Sequence, residues 1–239
     1  MPRPLADKVA LVTGGSRGIG AAICRRLAAD GARVIVHYAN SRDKAEAVAR
    51  DVGGTAVAAD LRQPDGGQTL AEAVDRPVDL LVNNAGVFEA APVTEATDAQ
   101  FEDVLNVNVR AVFYLTRALA RTMPDGGRIV TIGSVGGKAA LFSGNALYSM
   151  SKFAVRGLSR GFARDLAARQ ITSNVVQPGP IDTDMNPADA DSAADQHART
   201  PLARHGKPAE VAALVAWLCG PEAAFVTGAE YDIAGGWGC

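Results

Sequence analysis

Short apolar runs alternate along the chain with longer stretches of helical periodicity. Val9–Val12, Val34–Val36, Val57–Ala59, Leu80–Val82, Ile129–Ile132, Val175–Val176 and Tyr231–Ile233 read as buried strand cores. Each of the first six runs into a turn rich in Gly, Asn, Asp, Ser or Pro. Helical patterns span Ile19–Asp30, Arg42–Asp51, Asp98–Met123, Tyr148–Arg169 and Pro208–Cys219. Strands that are apolar on both faces suit a parallel sheet covered on both sides. Their alternation with helices predicts right-handed βαβ crossovers and a doubly wound α/β sheet. Thr97-Asp98 supplies capping oxygens for one helix, and Pro208 suits the first turn of another. Nothing reads as a linker, so residues 1–239 are expected to form a single α/β domain around one parallel seven-stranded sheet.

The first strand runs into Thr13-Gly14-Gly15-Ser16-Arg17-Gly18-Ile19-Gly20. Glycines here permit positive φ and close backbone approach, and the following helix aims free N–H groups at an anion such as a pyrophosphate. Three residues separate Gly14 from Gly18, where the ordinary dinucleotide fingerprint has one. The second strand ends Val36-His37-Tyr38-Ala39-Asn40-Ser41-Arg42, without the carboxylate that would hold the 2′-hydroxyl of NAD. Arg17, Ser41 and Arg42 instead suit a 2′-phosphate, so NADP(H) is the expected cofactor and NAD(H) the alternative. The competing view of Arg42 is a solvated residue in the first turn of a helix.

Composition narrows the classes. The chain has 239 residues, 48% hydrophobic and 21% charged, with 24 basic and 26 acidic side chains. That near-balance argues against a dedicated nucleic-acid binder. No apolar run approaches the roughly 18–20 residues that span a bilayer. Met1–Lys8 has no apolar stretch between its charges, and three cysteines make no disulfide framework, so a cytoplasmic protein is expected. His37, His197 and His205 lack metal-ligand spacing, and no metal site is expected.

An ordered set of motifs now stands out: Thr13-Gly14-x-x-x-Gly18-x-Gly20, Asp60-Leu61, Asn83-Asn84-Ala85-Gly86, Asn108, Ser134, Tyr148-x-x-x-Lys152 and Pro178-Gly179. Together they resemble the short-chain dehydrogenase/reductases over essentially the whole chain, most of all reductases of 3-oxoacyl thioesters and related ketones. The resemblance implies a Rossmann-type fold. It implies Tyr148 as acid/base, Lys152 as ribose ligand and depressor of the tyrosine pKa, and Ser134 as donor to the carbonyl oxygen. Asn108 would help place a proton-supplying water. Chemistry agrees with this. A phenol, of reference pKa about 10, is poorly matched to neutral pH, and an ammonium one helical turn away favours phenolate. The Ser134–Tyr148 interval of 14 residues is long for the family and predicts an enlarged loop. The expected cofactor wall comprises Gly14, Ser16, Arg17, Gly18, Ile19, Gly20, Tyr38, Asn40, Ser41 and Arg42, then Asp60, Leu61, Asn83, Ala85 and Gly86. Tyr148, Lys152, Pro178, Gly179, Ile181 and Thr183 complete it. Asp60 would accept from the adenine amino group, Asn83 would tie neighbouring strands, and Ile181 and Thr183 would meet the carboxamide.

Residues 184–205 are small, polar and Asp-rich, the composition of a lid poorly ordered without ligand. Val135, Leu141, Phe142, Leu147, Pro180 and Met185 offer an apolar substrate wall for a ketone, aldehyde, quinone or 3-oxoacyl group. Phe101, Val104, Leu105, Val109, Val112, Phe113 and Leu119 cannot all face one sheet, and the resemblance implies a homotetramer, with Trp237, Gly238 and Cys239 reaching a neighbour. Gln177–Asp184, Arg204-His205-Gly206 and Phe225–Gly228 also resemble a bacterial branch linked to cyclic-di-GMP binding and biofilm dispersal. A non-catalytic nucleotide sensor is therefore the rival, although a pure sensor has no physical need for Ser134, Tyr148 and Lys152.

Overall fold

A computed structural model describes residues 3–238. Seven strands form one wholly parallel sheet in the order β3-β2-β1-β4-β5-β6-β7. They are β1 (Val9–Val12), β2 (Arg33–Tyr38), β3 (Thr55–Ala58), β4 (Leu80–Asn83), β5 (Arg128–Ile132), β6 (Thr172–Pro178) and β7 (Glu230–Ile233). The helices are α1 (Gly18–Ala29), α2 (Arg42–Asp51), α3 (Gly66–Ala73), α4 (Asp98–Leu105), α5 (Ala111–Ala120), α6 (Ala146–Asp165), α7 (Ala193–Arg199) and α8 (Pro208–Cys219).

Side-chain alternation along each strand builds two cores. Leu11, Ile35, Leu81 and Ile129 pack with Leu70 of α3 and with Leu115 and Leu119 of α5. Their neighbours Ala10, Val12, Val34, Val36 and Val82 pack on the other face, against Ile23 and Leu27 of α1, Val48 of α2 and Val211 and Val215 of α8. The sheet order reverses between β1 and β4, and there the strand ends open a crevice.

Two expectations about helices are corrected. The single helix expected over Asp98–Met123 is interrupted by a π-helical turn at Asn106–Arg110 between α4 and α5. α3, which opens on Gly66 and Gly67, was not among the expected helices. Packing explains them: a Cβ on Gly67 would lie 2.8 Å from the carbonyl oxygen of Ala111, so α3 can meet α5 this closely only through a bare backbone. The apolar excess of α4 and α5 divides as their amphipathicity demands. Val104, Val112 and Leu119 are buried, whereas Phe101 and Phe113 face outward, joined on α6 by Met150 and Phe153. Among the described residues, no helix is long and apolar enough to cross a membrane.

Candidate active site

The glycine turn is built by steric necessity. Gly14 and Gly18 adopt φ of 63° and 53°, in the left-handed region that a side chain strains. A Cβ on Gly20 would lie 2.1 Å from the Gly14 carbonyl oxygen, so α1 can begin against the turn only with glycine there. Polar side chains from elsewhere then pin the turn. The Gly14 N–H donates to His37 Nδ1 at 3.1 Å, and His37 Nε2 pairs with the Ala59 carbonyl at 3.0 Å. Asn84 Nδ2 donates to the carbonyls of Thr13 and Gly14 at 2.8 and 3.2 Å. Thr13 Oγ1 accepts the N–H groups of Asn84 and Ala85, each at 2.9 Å. Burial lowers the His37 pKa to about 4, so the imidazole stays neutral and keeps a lone pair for Gly14. His37, expected to be an isolated surface or structural histidine, is thus an internal strut. Its place at the apolar end of β2 was the one available signal.

A cleft of about 910 Å³ lies above the strand ends. Its walls include Gly14, Ser16, Arg17, Gly18, Ile19, Gly20, Tyr38, Asn40, Ser41, Asp60, Leu61, Ala85, Gly86, Ser134, Tyr148, Lys152, Pro178, Gly179, Ile181 and Thr183. Three expected site residues lie outside it. Arg42 turns back to Glu46 one helical turn on, at 2.8 Å, and its side chain is 75% exposed. Asn83 is buried and donates to Thr116 Oγ1 of α5 at 3.2 Å; Asn84, not Asn83, ties the loops after neighbouring strands together. Asn108 stands behind the cleft, its Oδ1 accepting from Val87 N and its Nδ2 donating to Val87 O, both at 2.9 Å. The same Nδ2 donates to Ser151 Oγ at 3.0 Å, whose hydroxyl donates to the Tyr148 carbonyl at 2.7 Å. The Asn108 side chain is therefore committed to protein partners, and the π turn on which it sits orients it. Asp60 lines the cleft, with one carboxylate oxygen already accepting from Arg62 N.

On the opposite wall Ser134 ends the segment after β5. Its Oγ accepts from Gly136 N at 3.0 Å, and Ser134 and Tyr148 both line the cleft, with Gly136 packed between them. Lys152, one turn further along α6, is buried; its Nζ donates to the Ile132 carbonyl at 2.9 Å and lies 5.6 Å from the Tyr148 ring centroid. Burial pulls the Lys152 pKa down to about 8. It pushes the Tyr148 phenol above its ordinary value, an effect the Ser134 side chain opposes. Desolvation is the largest cause of both shifts.

Val135, Leu141, Phe142, Pro180 and Met185 line the cleft as expected, but Leu147 does not. Phe88 was missed: it packs edge-on against Tyr148 with ring centroids 5.0 Å apart, and Phe142 lies 6.2 Å beyond. A lone Phe in a loop carries no periodic signal. The lid contains α7, against the expectation from composition alone. Asn186 and Gln196 exchange amide hydrogen bonds at 2.9 Å, and His197 Nε2 meets His205 Nδ1 at 2.7 Å. Trp237 lines the cleft of its own chain; Cys239 lies outside the described residues. Among the described residues, no cluster of three or more His, Cys, Asp or Glu side chains is placed to hold a metal.

Comparison with known proteins places these features in context. A family profile described as enoyl-(acyl carrier protein) reductase matches residues 14–238. The chain is 46% identical to the cyclic-di-GMP-binding biofilm dispersal mediator protein of Escherichia coli K12, over 97% of each chain. It is 40% identical to the 3-oxoacyl-[acyl-carrier-protein] reductase FabG of the same organism, over 96% of each. A short-chain dehydrogenase from Burkholderia cenocepacia, solved in complex with NADP, superposes with a TM-score of 0.93 at 45% identity, covering 99% of this chain and all of that one.

Proposed function

This chain belongs to the short-chain dehydrogenase/reductase family of oxidoreductases, and on that premise we propose that it is an NADPH-dependent reductase of carbonyl compounds. The observation that carries the reading is the convergence of Ser134, Tyr148 and the buried Lys152 in the wall of a cleft that begins at the glycine turn. The glycine turn leaves room for a dinucleotide: α1 opens directly on Gly18, its N-cap Arg17 supplies no capping side chain, and free N–H groups face the cleft. NADPH, when bound, supplies the hydride. The NADP-bound relative supports that choice of cofactor.

The chain's own residues handle the oxygen. The Tyr148 hydroxyl gives its proton to the carbonyl oxygen as negative charge develops there. Ser134 Oγ donates a second hydrogen bond to the same oxygen. Raised by burial, the Tyr148 pKa keeps the phenol protonated until charge develops, and Lys152, retaining its proton at pH 7, favours the phenolate left behind. Asn108 and Ser151 hold the segment before α4 and the first turn of α6 in register. Phe88, Phe142, Leu141 and Met185 give the carbonyl an apolar surround, which suits a ketone, aldehyde, quinone or 3-oxoacyl group; the resemblance to FabG supports the last. The outward-facing Phe101, Phe113, Met150 and Phe153 form the face through which a homotetramer would assemble.

Tyr148→Phe is expected to lower carbonyl-dependent NADPH oxidation at least 100-fold while leaving NADPH affinity within about twofold. A fully active variant would overturn the assignment. The 46%-identical dispersal mediator favours a second reading, binding of cyclic-di-GMP. Calorimetry with cyclic-di-GMP, beside a panel of carbonyls, separates the two: dinucleotide binding without turnover of any carbonyl selects the sensor.

A further inference from the structure

Asp184, the first residue of the lid, reaches back across the cleft. Its Oδ2 lies 3.6 Å from a terminal nitrogen of Arg17 and 3.5 Å from Lys44 Nζ. Arg17 precedes α1 and Lys44 stands in the first turn of α2, so one carboxylate joins two helix starts from a distant part of the chain. Neither cation has another carboxylate partner among the described residues. The neighbouring Arg42, which the sequence marked for a 2′-phosphate, is held by Glu46. Beside this contact Thr183 rests against Gly18, where a Cβ would lie 3.4 Å from Thr183 Cγ2. The loop after β6 thus closes on the glycine turn at the point where Asp184 takes both cations.

We propose that Asp184 is a built-in anion occupying the seat of the cofactor's 2′-phosphate, that Arg17 and Lys44 form that seat, and that NADPH must displace Asp184 to bind. This rests on the reading of the protein as NADPH-dependent. Two cations converging on one oxygen anion make the arrangement that binds phosphate. A 2′-phosphate carries more charge than a carboxylate and gains more from the same pair. Exposed ion pairs are weak enough to exchange readily, and all three side chains here are more than half exposed. Displacement therefore frees the start of the lid from the glycine turn as the phosphate arrives. A cofactor lacking that phosphate leaves the latch in place, so the contact couples cofactor identity to lid position.

The test is direct binding, by calorimetry, of NADPH, NADH, 2′,5′-ADP and ADP to the full chain. Asp184→Asn is expected to tighten NADPH and 2′,5′-ADP about three- to tenfold and to leave NADH and ADP within about twofold. Lys44→Ala is expected to weaken NADPH and 2′,5′-ADP about fivefold or more and to shrink the gain from Asp184→Asn, with Arg42→Ala neutral. Wild-type protein that prefers NADPH, combined with an inert or weakening Asp184→Asn, would overturn the latch alone. Equal tightening of ADP and NADH would place Asp184 in competition with the pyrophosphate and overturn the 2′-phosphate seat. Wild-type protein that binds NADH as well as NADPH would overturn the cofactor reading and the latch with it.

Discussion

The two lips of the cleft are held by different kinds of force. On the glycine-turn side, backbone geometry and buried polar bonds leave little freedom: Gly20 sits against the Gly14 carbonyl, and His37, Asn84 and Thr13 satisfy main-chain groups around the turn. On the lid side, part-buried and exposed side-chain ties join the backbone bonds: Asn186 pairs with Gln196, His197 with the buried His205, and Asp184 reaches two cations at the surface. Buried hydrogen bonds cost their full desolvation when broken, whereas exposed pairs exchange with water. The first lip is therefore a fixed surface on which a cofactor lies, and the second is able to move.

Substitution at each lip sharpens that contrast. The largest effect is expected from Gly20→Ala, because the new methyl meets backbone and neither partner has room. A loss of about 3 kcal/mol is expected, a melting-temperature drop on the order of 6–12 °C, together with loss of nucleotide binding. An unaffected variant would show that the turn is not rigid.

The next effect is acid sensitivity through His37. Its folded-state pKa of about 4 lies below the unfolded value near 6.5, so the unfolded chain binds the proton first. Stability from the neutral ring is complete above pH 6.5 and declines as pH falls toward 4, by about 3 kcal/mol in all. Denaturant titrations of wild type and His37→Gln at pH 7 and pH 4.5 check this; parallel pH dependence of the two proteins would refute it. His205 is shifted the same way by burial and by His197 and adds to the trend.

Least disturbed should be the fold when the lid is cut loose. Gln196→Ala removes the reciprocal amide pair with Asn186 and is expected to cost about 1 kcal/mol or less, a shift of a few degrees at most. Limited proteolysis at α7 should nevertheless accelerate. A cost as large as that of Gly20→Ala would mean that the lid belongs to the core and would erase the distinction between the lips.

How much of this was legible follows from the range of each interaction. The glycine turn and the strand cores declare themselves locally, because a positive φ or a two-faced apolar strand restricts residue type within a few positions, whereas Tyr148 and Lys152 stood out through the family resemblance. Arg42 turns to Glu46 in the structure, and composition cannot rank two partners for one guanidinium. α3 was missed because its Gly67 answers to α5, more than 40 residues away, and not to its own helix. Phe88 and His37 gain their roles only from what folding brings beside them.

The sequence by itself determined the class of sheet and the place of the glycine turn, both consequences of short-range steric and hydrogen-bonding rules, and it offered Ser134, Tyr148 and Lys152 through the family resemblance. Only the tertiary structure decided which cations face the cleft, that burial raises the Tyr148 pKa, and that Asp184 spans 140 residues to meet Lys44. Those outcomes depend on distances and desolvation between groups far apart in the chain, and these acquire values only once the chain has packed.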